Sequence, residues 1–176
     1  VRRAEVDEAF RSFVATRHTR LLRAAYLLCG DHYLAEDLVQ TTLVKLYAAW
    51  PRASRADSID AYARRVLVNS HRDELRRPWR RERPAEHLPD DAKHGLGVEV
   101  KVGVDGEHDD LMEALRRLPV GQRRVVVLRH YWGLSVEETA ADLGVTTGTV
   151  KSQTSRALAA LARVLSAHQP ASGGMP

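Results

Sequence analysis

Apolar residues recur at helical spacing along almost the whole chain, and alternating runs are nearly absent, so the pattern predicts an all-α protein. A first helix is expected from about Val6 to Leu28, with Phe10, Phe13, Val14, Leu21, Leu22 and Ala25 along one stripe. Gly30 marks its end, and Asp31 is the expected cap of the next helix. That second helix reads to about Trp50, with Leu34, Leu38, Val39, Leu43, Leu46, Tyr47 and Trp50 on a single face and Pro51 as its stop. A third helix is expected from near Ser58 to about Arg77, broken by Pro78.

Periodicity then fails. From residue 78 to about 108 the chain carries three prolines, four glycines and no sustained apolar repeat, which predicts a flexible linker. Four helices follow: about His108–Leu118, Val120–Trp132, Ser135–Leu143 and Thr147–Ala167. The expected organisation is two small helical domains, 5–80 and 108–167, joined by a linker over 81–107 and followed by a disordered tail over 168–176.

The most specific local signal spans Leu134 to Ser152. Ser135 with Glu138 has capping-box spacing, each side chain able to satisfy an orphan amide at a helix start. Ala140 is small where two crossing helices would touch. Gly144 suits a left-handed exit, Val145 is expected to plug the turn, and Thr146 to cap the second helix. A short helix, a glycine-bearing turn and a second helix make a helix-turn-helix, whose second helix enters the major groove. Along it Val150, Ala157, Leu158, Leu161 and Leu165 are expected to face the core. Thr147, Thr149, Lys151, Ser152, Ser155 and Arg156 lie towards the other side and the N-terminal half, where base edges and phosphates are met. Taken alone, that helix also fits an ordinary amphipathic helix with a solvated polar face.

Charge sharpens this picture. The 176-residue chain is only mildly basic, at +4, but between Arg64 and Arg83 eight arginines face three acids. Arginine suits bidentate contact with phosphate. Tyr62, Asn69 and Trp79 lie in the same stretch, with the stacking and hydrogen-bonding chemistry that unpaired bases require. From Pro84 to Asp110 the balance reverses, to eight acids against two lysines, as expected of a solvated spacer.

Other classes find little support. A single cysteine, Cys29, excludes an intramolecular disulfide framework and reads as a buried, unreactive thiol. No stretch approaches the roughly 18 apolar residues of a membrane span, no signal-peptide core is visible, and a cytoplasmic protein without membrane insertion is expected. His71-Arg72-Asp73-Glu74 lacks the spacing of a zinc-hydrolase helix, and His87, His94 and His108 fall in the linker. No phosphate-binding glycine loop or nucleophile motif appears. Neither a metal, a cofactor, a small-molecule substrate nor an enzymatic activity is expected.

Two blocks carry a family resemblance. Leu34-Ala35-Glu36-Asp37-Leu38-Val39-Gln40 with Trp50, Ala61-Tyr62-Ala63-Arg64-Arg65 through Asn69, and Arg72-Asp73-Glu74-Leu75-Arg76-Arg77 resemble conserved region 2 of the sigma-70 family. Leu115 to Leu161, with Gly148-Thr149-Val150-Lys151-Ser152, resembles region 4. In this order, with an acidic linker between them, the blocks are similar to the small extracytoplasmic-function sigma factors. The resemblance implies a subunit of RNA polymerase that directs promoter-specific initiation. Glu36, Asp37 and Gln40 would dock on the core polymerase. The third helix and the Pro51 to Asp57 loop would open the duplex and hold the minus-ten element as a single strand. Tyr62, Asn69 and Arg72 would meet that strand, and Arg64, Arg65, Arg76 and Arg77 its phosphates. The last helix would read the minus-thirty-five element. A linker of about 30 residues reaches at most about 100 Å, ample for DNA sites a few turns of about 34 Å apart. The family also brings anti-sigma inhibitors as optional partners. Thr41, Leu43, Tyr62, Gln153 and Ser155 depart from the commoner family residues, so no promoter sequence follows, nor an inducing signal.

A conventional helix-turn-helix repressor is the first alternative, but no dimerisation element or effector pocket is evident. A helical adaptor that binds only protein leaves the arginine cluster and the capped turn unexplained.

Overall fold

The computed structural model describes residues 3–76 and 106–168. Among them there is helix and no strand: α1 (Arg3–Cys29), α2 (His32–Ala48), α3 (Trp50–Ala53) and α4 (Ile59–Arg76) form one module. A second module comprises α5 (Gly106–Arg117), α6 (Val120–Val126) continued by a π-helical turn (Val127–Tyr131), α7 (Val136–Leu143) and α8 (Thr147–His168). Most of the expected linker, the tail from residue 169, and Arg77 to Arg83 with Trp79 lie outside the described residues.

The joint between α1 and α2 needs only two residues. Gly30 takes φ +74°, and its N–H closes α1 on the Tyr26 carbonyl at 2.7 Å. Asp31 then caps α2, its carboxylate accepting from the Leu34 N–H at 2.9 Å. So short a link folds α2 back along α1. Phe13, Leu21, Ala24 and Ala25 of α1 meet Ala35, Leu38, Val39 and Leu46 of α2, with Ala63 and Leu67 of α4 closing the core. Thr42, fully buried among them, donates its hydroxyl to the Leu38 carbonyl at 2.7 Å and so costs little.

Pro51 does not simply stop the second helix. α2 ends at Ala48, and Trp50 begins a separate turn in which Pro51 takes the first positions, where a missing N–H is harmless. The break drops Trp50 into the core, edge-on to Phe10 at 5.0 Å and Phe13 at 5.5 Å. Tyr47, expected on the buried face, sits at its rim, with its hydroxyl on Asp7 at 2.5 Å. Cys29 is half-buried rather than buried.

The second module has smaller clusters. Met112, Ala114 and Leu115 of α5, with Leu118 just beyond it, pack with Val126 of α6 and Ala157 and Leu161 of α8. Val125, Ala140 and Val150 hold the crossing of α6, α7 and α8. At Trp132 the N–H bonds the Val127 carbonyl at 3.1 Å, one residue further back than in an α-helix. Leu158, expected in the core, is 44% exposed, because Ala157 and Leu161 take the inner positions of α8. Val145 is also exposed and plugs nothing: its N–H closes the turn on the Ala140 carbonyl at 3.1 Å, and Leu143 packs beneath.

The modules pack against each other. Val68 of α4 shares a cluster with Leu128 and Leu134, while Tyr26 and Leu27 of α1 lie against the α5–α8 core. α1 has no basic residue in its last turn, and the second module supplies the missing cations. Arg123 donates to the Leu28 carbonyl at 3.0 Å, and Arg116 to the Gly30 carbonyl at 2.9 Å. A Cβ at Gly30 would lie 2.8 Å from Cγ of Arg116, so this glycine serves the docking as well as the turn.

Candidate nucleic-acid interface

Three surfaces carry the expected site residues. On α2, Glu36, Asp37 and Gln40 are all exposed and follow one face with Tyr33 and Val44, which are 57% and 70% exposed. Neither Glu36 nor Asp37 has a cationic partner among the described residues. Apolar side chains left in water beside unpaired carboxylates suit a partner that offers both apolar and basic groups.

The helix-turn-helix is built as its local chemistry dictates. Ser135 accepts from the Glu138 N–H at 3.0 Å, and Glu138 accepts from the Ser135 N–H at 2.7 Å, which completes the capping box. The Ser135 backbone N–H, then the Ser135 side chain, with a smaller contribution from the charge of Arg64, hold the Glu138 carboxyl below its usual pKa. Gly144 ends α7 in the left-handed region at φ +66°. Thr146 caps α8 by accepting from the Thr149 N–H at 3.1 Å. On α8, Thr147, Lys151, Ser152, Ser155 and Arg156 are exposed. Thr149 is half-buried, its hydroxyl 2.9 Å from that of Thr146, and Ser152 donates its hydroxyl to the Thr149 carbonyl at 3.1 Å. Among the described residues, the side chains of Thr147, Lys151, Ser155 and Arg156 on this face make none of these local bonds.

α4 is less open. Ser58 caps it through the Ala61 N–H at 3.1 Å, and Asp60 in its first turn takes Arg17 of α1 at 2.7 Å. Of the expected minus-ten residues, Arg65 and Arg76 are exposed, whereas Tyr62, Asn69 and Arg72 are half-buried. Arg72 Nε is buried and has no hydrogen-bond partner among the described residues. Arg64 is buried under the second module, its guanidinium 2.7 Å from the Asp142 carboxylate of α7. Arg77 lies outside the described residues.

Sequence reasoning missed the residues that join the modules. Asp142 takes Arg64 and, at 3.5 Å, Arg65. Trp132 stacks beneath the guanidinium of Arg20 at 4.5 Å, with that of Arg64 at 5.8 Å. Tyr131 donates its hydroxyl to the Arg20 carbonyl at 3.1 Å. Arg124 reaches Nδ1 of His71 at 3.4 Å, and burial, reinforced by the charges of Arg72 and Arg76, lowers its pKa. No spacing rule finds such contacts, because the partners stand far apart in the chain. Among the described residues no cluster of His, Cys, Asp or Glu would hold a metal ion, and no helix is long and apolar enough to cross a membrane.

A capped helix-turn-helix on one module and an arginine-bearing helix on another define a two-module, all-helical protein with the surfaces of a DNA-binding factor. Family models place it further: that for sigma-70 region 2 matches residues 13–81, and that for sigma-70 region 4 matches residues 108–161. The RNA polymerase sigma-E factor of Streptomyces avermitilis is 41% identical over 86% of this chain and 82% of its own length. The ECF RNA polymerase sigma factor SigM of Mycobacterium tuberculosis is 33% identical over 89% and 77%. Among solved structures, the sigma factor RpoE of Bartonella quintana in complex with the anti-sigma factor NepR superposes with a TM-score of 0.70 at 26% identity, over 92% of this chain and 99% of that one. CnrH in complex with the cytosolic domain of CnrY gives 0.64 at 26% identity, over 94% and 96%. The chain belongs to the extracytoplasmic-function sigma factors of the sigma-70 family.

Proposed function

We propose that this chain is a non-catalytic sigma subunit that binds core RNA polymerase in the cytoplasm and directs initiation at a defined set of promoters. The observation that carries this reading is the division of labour between the modules. One presents an exposed acidic and apolar face on α2 beside the arginines of α4, and the other presents a capped helix-turn-helix. Glu36, Asp37 and Gln40 dock on the polymerase, flanked by Tyr33 and Val44. On α4, Tyr62, Asn69 and Arg72 meet the unpaired minus-ten strand, while Arg64, Arg65, Arg76 and Arg77 hold its phosphates. On α8, Lys151 and Arg156 make the strongest contacts with the minus-thirty-five duplex, supported by Thr147, Thr149, Ser152 and Ser155.

Reconstitution tests the reading. Purified chain added to core polymerase should start transcription from a cognate promoter, whereas the chain alone should bind duplex DNA weakly. Tight, specific duplex binding by a dimer that leaves core polymerase unaffected would instead make it a repressor. An anti-sigma protein is a further expected partner, since RpoE of Bartonella quintana is bound to the anti-sigma factor NepR and CnrH is likewise held in a complex, with the cytosolic domain of CnrY. The exposed α2 face is where such a protein would compete with polymerase.

A further inference from the structure

We propose that Asp142 of α7 serves as an internal stand-in for a DNA phosphate, so that the second module and the promoter strand compete for Arg64 and Arg65. The inference rests on the assignment of those two arginines to promoter phosphates. Its geometry is independent of that assignment. The Asp142 carboxylate receives Arg64 at 2.7 Å and Arg65 at 3.5 Å, as two arginines would receive one phosphate group. The Asp142 side chain is only 6% exposed and that of Arg64 only 11%, so no strand reaches Arg64 while the pair is made. Trp132 closes the same place, beneath Arg20 and Arg64.

The contact is also built to release. The Trp132 indole N–H and Arg72 Nε are buried at or near the junction without a hydrogen-bond partner among the described residues, a cost that opening removes. The apolar cluster across α4 has three buried members, Val68, Leu128 and Leu134, with Trp132 and Leu143 packed against it. A buried ion pair adds little net stability by itself, yet it penalises any state that breaks one partner and leaves the other buried. Separation of the modules rehydrates both charges, and DNA then replaces the carboxylate on the arginines. By linkage, whatever strengthens closure weakens strand binding by the same factor, and the converse.

Two measurements on the full chain without polymerase test this: the radius of gyration by X-ray scattering, and anisotropy of a short fluorescent single-stranded DNA. Addition of the DNA to the wild-type chain should expand it, a result that needs no variant. Asp142→Asn should be expanded before any DNA is added and should bind the strand roughly tenfold more tightly, within the usual range of such couplings. Strand binding to wild type with no change in size, or an Asp142→Asn chain as compact and as weak in binding as wild type, would overturn the proposal. Arg65→Ala in the Asp142→Asn chain separates the two ideas. Weakened binding there keeps the phosphate assignment whatever becomes of the competition. Unchanged binding in a chain that has nonetheless expanded refutes the assignment, and with it the phosphate mimicry.

Discussion

α4 and α8 are the two helices assigned to DNA, and they stand in opposite conditions. Most of the polar face of α8 from Thr147 to Arg156 is exposed, and the ties it makes among the described residues are local, within α8 or to Thr146. α4 carries more charge, but Arg64 is spent on Asp142, Arg72 is half-covered, and Val68 packs on the second module. Net charge on a helix is therefore a poor guide to what is offered to a ligand. On the proposed roles, the face of α8 that would meet duplex is already exposed, whereas Arg64, which would meet the strand, is covered while the modules are packed. The difference fits the order of events at a promoter, in which duplex is met before it is melted.

The largest expected effect tests whether the modules are separable at all. Trp50→Ala removes the aromatic centre of the first core and should cost about 3–5 kcal/mol, read from the urea midpoint by circular dichroism. Amide exchange should then quicken throughout α1 to α4 while α7 and α8 keep their protection. Equal loss in both modules would make the chain one cooperative unit and dissolve the comparison.

Next come the surfaces themselves. Lys151→Ala and Arg156→Ala should each weaken upstream-element binding by about 1–3 kcal/mol where the lost contact is to a base edge, or lower the salt slope by about one unit where it is to phosphate. Both should leave affinity for core polymerase unchanged. Asp37→Lys with Gln40→Ala should do the reverse, abolishing co-purification with core polymerase while duplex contacts persist. Identical behaviour of the two sets in binding and footprinting assays would remove the division of labour.

How much of this was legible beforehand depended on the range of the interaction. The end of α1 at Gly30, the Asp31 cap, the Ser135–Glu138 box and the turn at Gly144 are satisfied within four residues, and each stands where the pattern put it. The second helix does end just before Pro51, but the pattern does not show the new turn that Pro51 begins, because proline stops one helix and starts another equally well. Leu158 and Val145 are apolar at positions where periodicity suggests burial, but which neighbour fills the space is decided by Ala157, Leu161 and Leu143. Nothing local distinguishes Arg64 from Arg65. Their different fates are set by Asp142, 78 residues beyond Arg64. Nor does composition mark a π-helical turn, although that turn leads directly into Tyr131 and Trp132, the aromatic pair against α1.

A smaller effect is expected at the start of the helix-turn-helix. Ser135→Ala removes one member of the capping box and should cost about 1 kcal/mol. If the modules are as separable as the contrast between α4 and α8 requires, this loss should appear as faster exchange in α7 with little change in α1 to α4. Ser135→Asp, which retains an acceptor at the cap, should restore most of the protection.

The smallest effect is a pH dependence with a defined sign. The Glu138 carboxyl is held below its usual pKa mainly by the Ser135 N–H, which favours the ionised form. A carboxylate with a depressed folded-state pKa contributes stability that is fully present above its unfolded value, about 4.3, and is lost as pH falls through the folded one. Acidification through that window should therefore loosen the first turn of α7, read as faster exchange at Glu138 relative to a neutral-pH reference. Glu138→Gln can still accept from the Ser135 N–H but carries no charge, so its α7 should lack this pH dependence while all other acid-induced changes remain. Asp142 ends the same short helix, and a loosened α7 holds it less firmly against Arg64. The acid response of the wild-type chain should thus include a slight expansion of the closed form that Glu138→Gln does not share.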